Sequence, residues 1–202
     1  MSKNIISPIL LAAGRSQRFG SDKLIHLITI EGQTQALIIH TLQTWLTVFK
    51  QVSVVVHTEN TPLSDVIRNS PFNSQINLIF VDGKNRSMSA SLIAGISATD
   101  TANAWLIGLA DMPFVQSSVI QNSFDALTNG AEITLPVFEQ QLGHPVGFKS
   151  IFRDRLIALS GDQGAKKIIQ SSLQSVIYIN STDKGILIDV DTKEDLNDIT
   201  SS

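Results

Sequence analysis

The sequence predicts an α/β fold, a mostly parallel central sheet covered by helices, and three observations carry that reading. Apolar runs of strand length alternate with longer amphipathic stretches, the pattern of helices packed on a largely parallel sheet. β-branched residues crowd 52–56, as a strand buried on both faces requires. The chain is 202 residues long and 43% hydrophobic, enough to bury a sizeable core without disulfide or metal staples. A single domain over 1–202 is therefore expected, with no linker, internal repeat or low-complexity tract inside it.

The first apolar run, 9–12, breaks at Gly14 and reads as a strand. After a polar loop, 36–49 sets Leu37, His40, Thr41, Thr44 and Val48 at helical spacing. Strands follow at 52–56, 76–81 and 104–109, the last ending in Ala110-Asp111-Met112-Pro113, where Pro113 halts regular structure. Residues 87–97 carry Met88, Ser91, Leu92, Gly95 and Ile96 on a helix, and 117–127 form another beyond the Pro113 turn. The first half thus reads β-α-β-α-β-α-β-α. Past a strand at 133–137 the pattern loosens through Leu142-Gly143-His144-Pro145-Val146-Gly147-Phe148, a helical stretch at 152–159 and Gly161-Asp162-Gln163-Gly164-Ala165. Strands at 175–179 and 185–190 close the chain, with a short helix from Lys193 that Thr192 or Asp191 could cap. Trp45 and Trp105 fall within apolar periods and are expected to pack. His26, His40 and His57 show no partner pattern and read as core-edge or surface residues.

Charge and cysteine content exclude several functions. With 15 Lys+Arg against 18 Asp+Glu the net charge is only -3, too little to gather nucleic acid or an anionic membrane, and neither is expected as a partner. Any anionic ligand must be held by a few local groups. The absence of cysteine removes disulfides, thiolate nucleophiles and Cys-ligated zinc together, and fits a reducing compartment, so a cytoplasmic location is expected. No apolar run approaches the roughly 20 residues of a membrane span. Pro8, Gly14, Arg15 and Arg18 spoil a signal-peptide reading of the start.

The stretch Leu10-Leu11-Ala12-Ala13-Gly14-Arg15-Ser16-Gln17-Arg18-Phe19-Gly20-Ser21-Asp22-Lys23-Leu24 follows the first strand directly. Small residues at Ala12, Ala13 and Gly14 let backbone amides approach a ligand closely, and a concavity of N–H groups binds phosphate oxygens. Arg18 and Lys23 add positive charge. The spacing matches neither G-x-G-x-x-G nor G-x-x-x-x-G-K-[ST], which disfavours dinucleotide-dependent dehydrogenases and P-loop ATPases. On spacing alone, an ordinary strand-to-helix turn with two solvated basic residues fits equally well.

The whole string is more specific. L-A-A-G-x-S-x-R-F-G-x-x-K resembles the signature loop of the MobA-like nucleoside triphosphate transferases, in particular their molybdenum cofactor cytidylyltransferase branch. Ser87-Met88-Ser89-Ala90-Ser91-Leu92-Ile93-Ala94-Gly95 and Leu109-Ala110-Asp111-Met112-Pro113 resemble further motifs of that branch in the same order. So do Gly143-His144-Pro145-Val146, Gly161-Asp162-Gln163-Gly164-Ala165 and 189–196. Ser87 departs from the pattern, standing where the family has glycine before Met88. The resemblance implies a Rossmann-like three-layer nucleotidyltransferase fold. Residues 1–115 would bind the nucleotide, and 116–202 the acceptor and a second metal ligand. The implied reaction is Mg²⁺-dependent transfer of CMP from CTP to the phosphate of molybdopterin, releasing pyrophosphate, with a molybdoenzyme or its chaperone as a further partner. Ala13, where guanylyltransferases of this fold carry a second glycine, narrows the room for a purine. Guanylyl transfer to another phosphorylated acceptor, or a non-catalytic protein that carries a finished cofactor, are the alternatives.

Site roles follow from the same resemblance. Leu11, Ala12, Ala13, Gly14, Arg18, Lys23 and Ser91 would bind the nucleotide, with Arg18 and Lys23 stabilising the departing pyrophosphate. Asp111 would hold the Mg²⁺ bridging the phosphates and count with Arg18 and Lys23 as catalytic; a turn aspartate before Pro113 is the bland reading of it. Asp189 and Asp191 alternate along an expected strand and should point to opposite faces, so that one of them, Asp191 by resemblance, joins the metal. As a helix N-cap, Asp191 would have a purely structural role. His144, Asp162 and Gly164 would line the acceptor site, although His144 also fits a hydrogen-bonded turn and Asp162 a helix cap.

Overall fold

The structure is a computed structural model that describes residues 5–14, 19, 22–82, 87–161 and 164–192. Its first half comprises β1 (Ile6–Leu11), β2 (Leu27–Ile30), β3 (Gln33–Ala36), α1 (Leu37–Leu46), β4 (Val52–His57), α2 (Thr61–Arg68), β5 (Ile76–Val81), α3 (Met88–Ala98) and β6 (Ala104–Leu109). The second half adds α4 (Ser117–Thr128), β7 (Ile133–Phe138), β8 (Gln141–Leu142), β9 (Val146–Lys149), α5 (Arg153–Ile157), α6 (Lys166–Gln170) and β10 (Val176–Asn180). The central sheet runs β10-β7-β9-β6-β1-β4-β5, with β8 appended to β7. Strands β5, β4, β1 and β6 are parallel neighbours, β9 is antiparallel to β6 and β7, and β10 is parallel to β7. The sheet is thus mostly parallel, as the sequence predicts.

Alternation along the central strands builds the layers. Leu10, Val54, Val56 and Leu106 face one core, packed with Leu37, Ile38 and Leu42 of α1, Leu63 and Ile67 of α2, and Val119, Ile120 and Leu127 of α4. Ile9, Val55, Trp105 and Ile107 face the other, with Leu92 and Ile96 of α3, Leu156 of α5 and Ile168 of α6. Every residue of β4 is buried because helices cover both its faces. Trp105 is fully buried and Trp45 nearly so, as packing residues. Each fully buried large apolar side chain contributes about 1.5–3 kcal/mol by leaving water.

Three expectations fail locally. The polar loop expected after β1 contains the two-stranded β2–β3 hairpin, turned by Glu31 and Gly32, both at positive φ (50° and 76°). The expected strand at 185–190 is instead a short 3-10 helix, Lys184–Leu187, followed by irregular chain. Asp183 caps it, accepting from the Gly185 amide at 2.7 Å, a local bond that competes with strand formation. His40 and His57, expected at the core edge or surface, are buried; His40 sits between Gln35 and the Ile28 carbonyl. The helix expected from Lys193 lies outside the described residues.

Strand order places the site. From β1 the chain moves outward through β4 to β5, then returns to lay β6 on the other side of β1. The order reverses between β1 and β6, and a crevice outside the carboxyl ends of such strands is where open α/β sheets bind ligands. Leu11 and Leu109, the last residues of β1 and β6, are register partners.

Candidate active site at the ends of β1 and β6

Short backbone ties fix the two turns that leave this switch point. The Ala12 amide donates to Val55 O at 2.9 Å and the Ala110 amide to Leu11 O at 3.1 Å, extending the ladder one step past each strand. The Ala12 amide is therefore committed to the sheet, and among the described residues of the turn Ala13 and Gly14 follow it. Ala12 and Ala13 are buried, and Gly14 is exposed. From α1, the Thr41 hydroxyl donates to Ala110 O at 2.9 Å and so clamps the residue before Asp111.

The tail segment is tied to the same turn. The Val190 amide donates to Asp111 O at 3.0 Å, and the His144 amide to Ile186 O at 3.0 Å. Gly143 permits the second approach, because a Cβ there would run into the Ile186 carbonyl. Val190 itself is fully buried, which anchors the residues on either side of it. Asp111, Asp189 and Asp191 consequently bring one carboxylate oxygen each to within 4.8 Å of one another. The expectation that Asp189 and Asp191 diverge is corrected: they do not lie on a strand, so the alternation that would separate them does not operate.

Lys23 enters this cluster. Its Nζ lies 2.6 Å from Asp111 Oδ2 and 2.7 Å from Asp191 Oδ1, and its side chain is only 11% exposed. Burial alone would lower the Lys23 pKa; Asp111 and then Asp191 outweigh that and hold it above the ordinary lysine value. Partial burial, then the charges of Asp191 and Asp111, raise the Asp189 carboxyl above the usual carboxylate range.

The lysine is held by residues that carry no obvious motif. Asp22 caps the 3-10 turn Lys23–Ile25, accepting from the Leu24 amide at 3.1 Å, and its other oxygen accepts from Asn60 Nδ2 at 2.6 Å. Asn60 in turn caps α2, its Oδ1 accepting from the Leu63 amide. An aspartate directly before Lys23 is an N-cap signal that could have been read from the sequence. The Asn60 and Thr41 contacts span 38 and 69 residues and leave no local trace.

Other predicted residues sit around this centre. Ser91 is buried on α3, its hydroxyl turned back toward Ser87 O at 3.5 Å, while Ser87 caps the helix through the Ala90 amide. Gly164, at φ 51°, lies against Met88 at the start of α3, so the loop read as acceptor-binding meets the Ser87–Gly95 motif. His144 Nδ1 is buried without a hydrogen-bond partner among the described residues, and burial lowers the ring pKa despite the nearby Asp111 charge and a bond to the Ile107 backbone. Arg18 and Asp162 lie outside the described residues. A cavity of about 690 Å³ opens elsewhere, lined by Gln33, Gln43, Thr44, Pro113 and Ser117 and by none of the predicted site residues.

The donor set fits a hard divalent cation: three carboxylates close enough to share one ion, with no sulfur or imidazole among them. The same cluster with Lys23 suits an anionic ligand that brings its own metal. No described helix is long and apolar enough to cross a membrane.

Residues 8–176 match the family model described as the MobA-like NTP transferase domain. Among proteins with curated descriptions, none matches. Among solved structures, Rv0371c from Mycobacterium tuberculosis H37Rv is similar over the full length of both chains, with a TM-score of 0.81 and 23% identity. A manganese complex of Rv0371c gives a TM-score of 0.76 and 21% identity, covering 98% of this chain and 99% of that one. A nucleotidyl transferase from Methanothermobacter thermautotroptrophicus gives 0.75 and 18%, covering 98% and 97%.

Proposed function

We propose, from the premise that the chain belongs to the MobA-like NTP transferase domain family, that it transfers CMP from CTP to the phosphate of a molybdopterin-type acceptor with release of pyrophosphate. The chain is a nucleotidyltransferase of the MobA-like type. The observation that carries the proposal is the meeting of Lys23 with Asp111, Asp189 and Asp191 at the reversal of strand order. Such a cluster supplies the two things a triphosphate needs, a cation for its outer phosphates and carboxylates for its metal.

In this reading an acceptor phosphate oxygen attacks the α-phosphorus of CTP. The new P–O bond forms as the bond to the β-phosphate oxygen breaks, and pyrophosphate departs with the electron pair. No covalent enzyme intermediate is required, because a phosphate oxygen is already an anionic nucleophile once aligned. Asp111, Asp189 and Asp191 would hold a divalent cation, taken as Mg²⁺ and supported by the manganese complex of Rv0371c. When bound, that cation neutralises charge on the phosphates. Lys23 and Arg18 are assigned to the β- and γ-phosphates, where negative charge grows as pyrophosphate leaves. Ala13 and Gly14 border the nucleotide, with Ala13 favouring a pyrimidine by its bulk. The second half, through His144 and Gly164, is assigned to the acceptor, a molybdoenzyme or its chaperone to the product, and the cytoplasm to the whole reaction.

A panel of CTP, GTP and ATP against candidate phosphorylated acceptors, with Mg²⁺ or Mn²⁺ and read as pyrophosphate release, tests the reading. Release only with CTP and a pterin phosphate is expected. Faster release with GTP would replace the cytidylyl assignment, release with another acceptor would replace the pterin, and no release from any pair would favour a cofactor carrier.

A further inference from the structure

We propose that Lys23 is a resident counter-ion of the carboxylate cluster that opposes divalent-metal binding until a triphosphate draws its ammonium away. This inference rests on the metal site assigned above and adds the order in which its ligands arrive. The geometry is direct: one ammonium lies 2.6 Å from Asp111 and 2.7 Å from Asp191, bridging two of the three carboxylates that would hold the metal. A metal bound to the same oxygens would overlap the ammonium. A metal bound to the remaining oxygens would still meet a cluster whose formal charge of three carboxylates is reduced by one lysine. Either way Lys23 lowers the affinity of the nucleotide-free protein for a divalent cation, since like charges a few ångströms apart repel strongly in a partly buried site.

The lysine cannot readily swing aside without a reason. Asp22 and Asn60 pin the turn that carries it, and only 11% of its side chain is exposed. A triphosphate, with several negative charges delivered to the same crevice, offers the ammonium a second anionic partner while it brings its own metal. The exchange makes metal and nucleotide binding mutually favourable, and by linkage each strengthens the other by the same factor. The protein therefore takes up the metal–nucleotide complex and holds little free metal.

The test measures Mn²⁺ binding to the nucleotide-free protein, by the electron paramagnetic resonance signal of unbound Mn²⁺, for wild type, Lys23→Met and Lys23→Gln. Both variants should bind Mn²⁺ about tenfold more tightly than wild type, or better, despite losing turnover. Equal or weaker binding in folded variants overturns the proposal and makes Lys23 a helper of the metal. A measurement on the unaltered protein guards against a folding defect in the variants: acetylation of Lys23, followed by mass spectrometry, should stay slow at Mn²⁺ concentrations that fill the site in Lys23→Met and speed up severalfold only when excess Mn²⁺ occupies the wild-type carboxylates. An unchanged rate with the wild-type site saturated by Mn²⁺ counts against displacement. Failure of the metal site itself would look different, because Asp189→Asn and Asp191→Asn in the Lys23→Met background would then leave Mn²⁺ binding unaltered.

Discussion

Asp111→Asn removes a metal-binding charge while keeping the size of the side chain and most of its hydrogen bonding, so chemistry and folding should respond differently. Pyrophosphate release should fall by about a hundredfold or more, as on losing one preorganised charge contact. The denaturant midpoint should shift by no more than about 1 kcal/mol equivalent, because Asp191 still holds the ammonium and the change removes one of three mutually repelling carboxylate charges. Turnover near wild type would remove Asp111 from the mechanism. His144 offers a second test at the same scale. Its folded pKa is lowered by burial, so between that value and the ordinary 6.5 the unfolded chain binds more protons than the folded one. Stability is then complete above about pH 6.5 and falls on acidification, at up to about 1.4 kcal/mol per pH unit, until the folded pKa is reached. Denaturant melts from pH 8 to 5 should show this slope, and His144→Asn should flatten it. An identical slope in the variant would assign the acid lability to another group.

At the scale of elements, the tail segment behaves as a latch on the Gly143-His144 turn. Gly143→Ala would push against the Ile186 carbonyl and strain the His144–Ile186 bond, costing roughly 1–3 kcal/mol as overpacking does. It should also weaken Mn²⁺ binding, because Asp189 and Asp191 ride on the displaced segment. Gly14→Ala serves as the contrast: nothing lies within 4 Å of the added methyl, so its melt should stay within about 0.5 kcal/mol of wild type. A neutral Gly143→Ala would mean the latch yields without cost. This segment is also where sequence reading was weakest. Apolar residues at 186–190 suggest a strand, but Ile186 is buried as an anchor of the 3-10 helix Lys184–Leu187 and Val190 as an anchor of the irregular chain after it, and the Asp183 cap favours the helical turn. The β2–β3 hairpin escapes the sequence pattern because each strand is only four residues long, β2 being largely apolar but short and β3 largely polar, and the Glu31-Gly32 turn alone marks it. The buried parallel strand 104–109 is legible to the residue, because burial on a covered sheet demands an unbroken apolar run, and the edge strand 76–81 is legible from its β-branched and aromatic residues although only Ile79 in it is buried. Lys23 and Asp111 were legible through a motif; their pairing, and Asp189 as a full member of the cluster, depend on long-range folding.

Across the whole molecule, ligand binding should appear as added stability, since a ligand that binds only the folded state stabilises it by mass action. With CTP and Mg²⁺ at about a hundred times the dissociation constant the gain is about 2.7 kcal/mol, which for a chain of this size corresponds to roughly 5–10 °C in melting temperature. GTP and ATP at the same concentration should give less, on the expectation that Ala13 carries a methyl where a glycine would leave room for a purine. The counter-ion role of Lys23 adds a condition to this expectation. In the wild type, Mg²⁺ alone should shift the melt little and CTP alone modestly, while both together should exceed the sum of the two shifts. In Lys23→Met the metal-only shift should grow and the excess over additivity should shrink, because the cation that couples the two ligands is gone. Additive shifts in the wild type would mean that metal and nucleotide bind independently. A larger shift with GTP than with CTP would overturn the pyrimidine assignment while leaving the coupling intact, so the two ideas can fail separately in one set of melting curves.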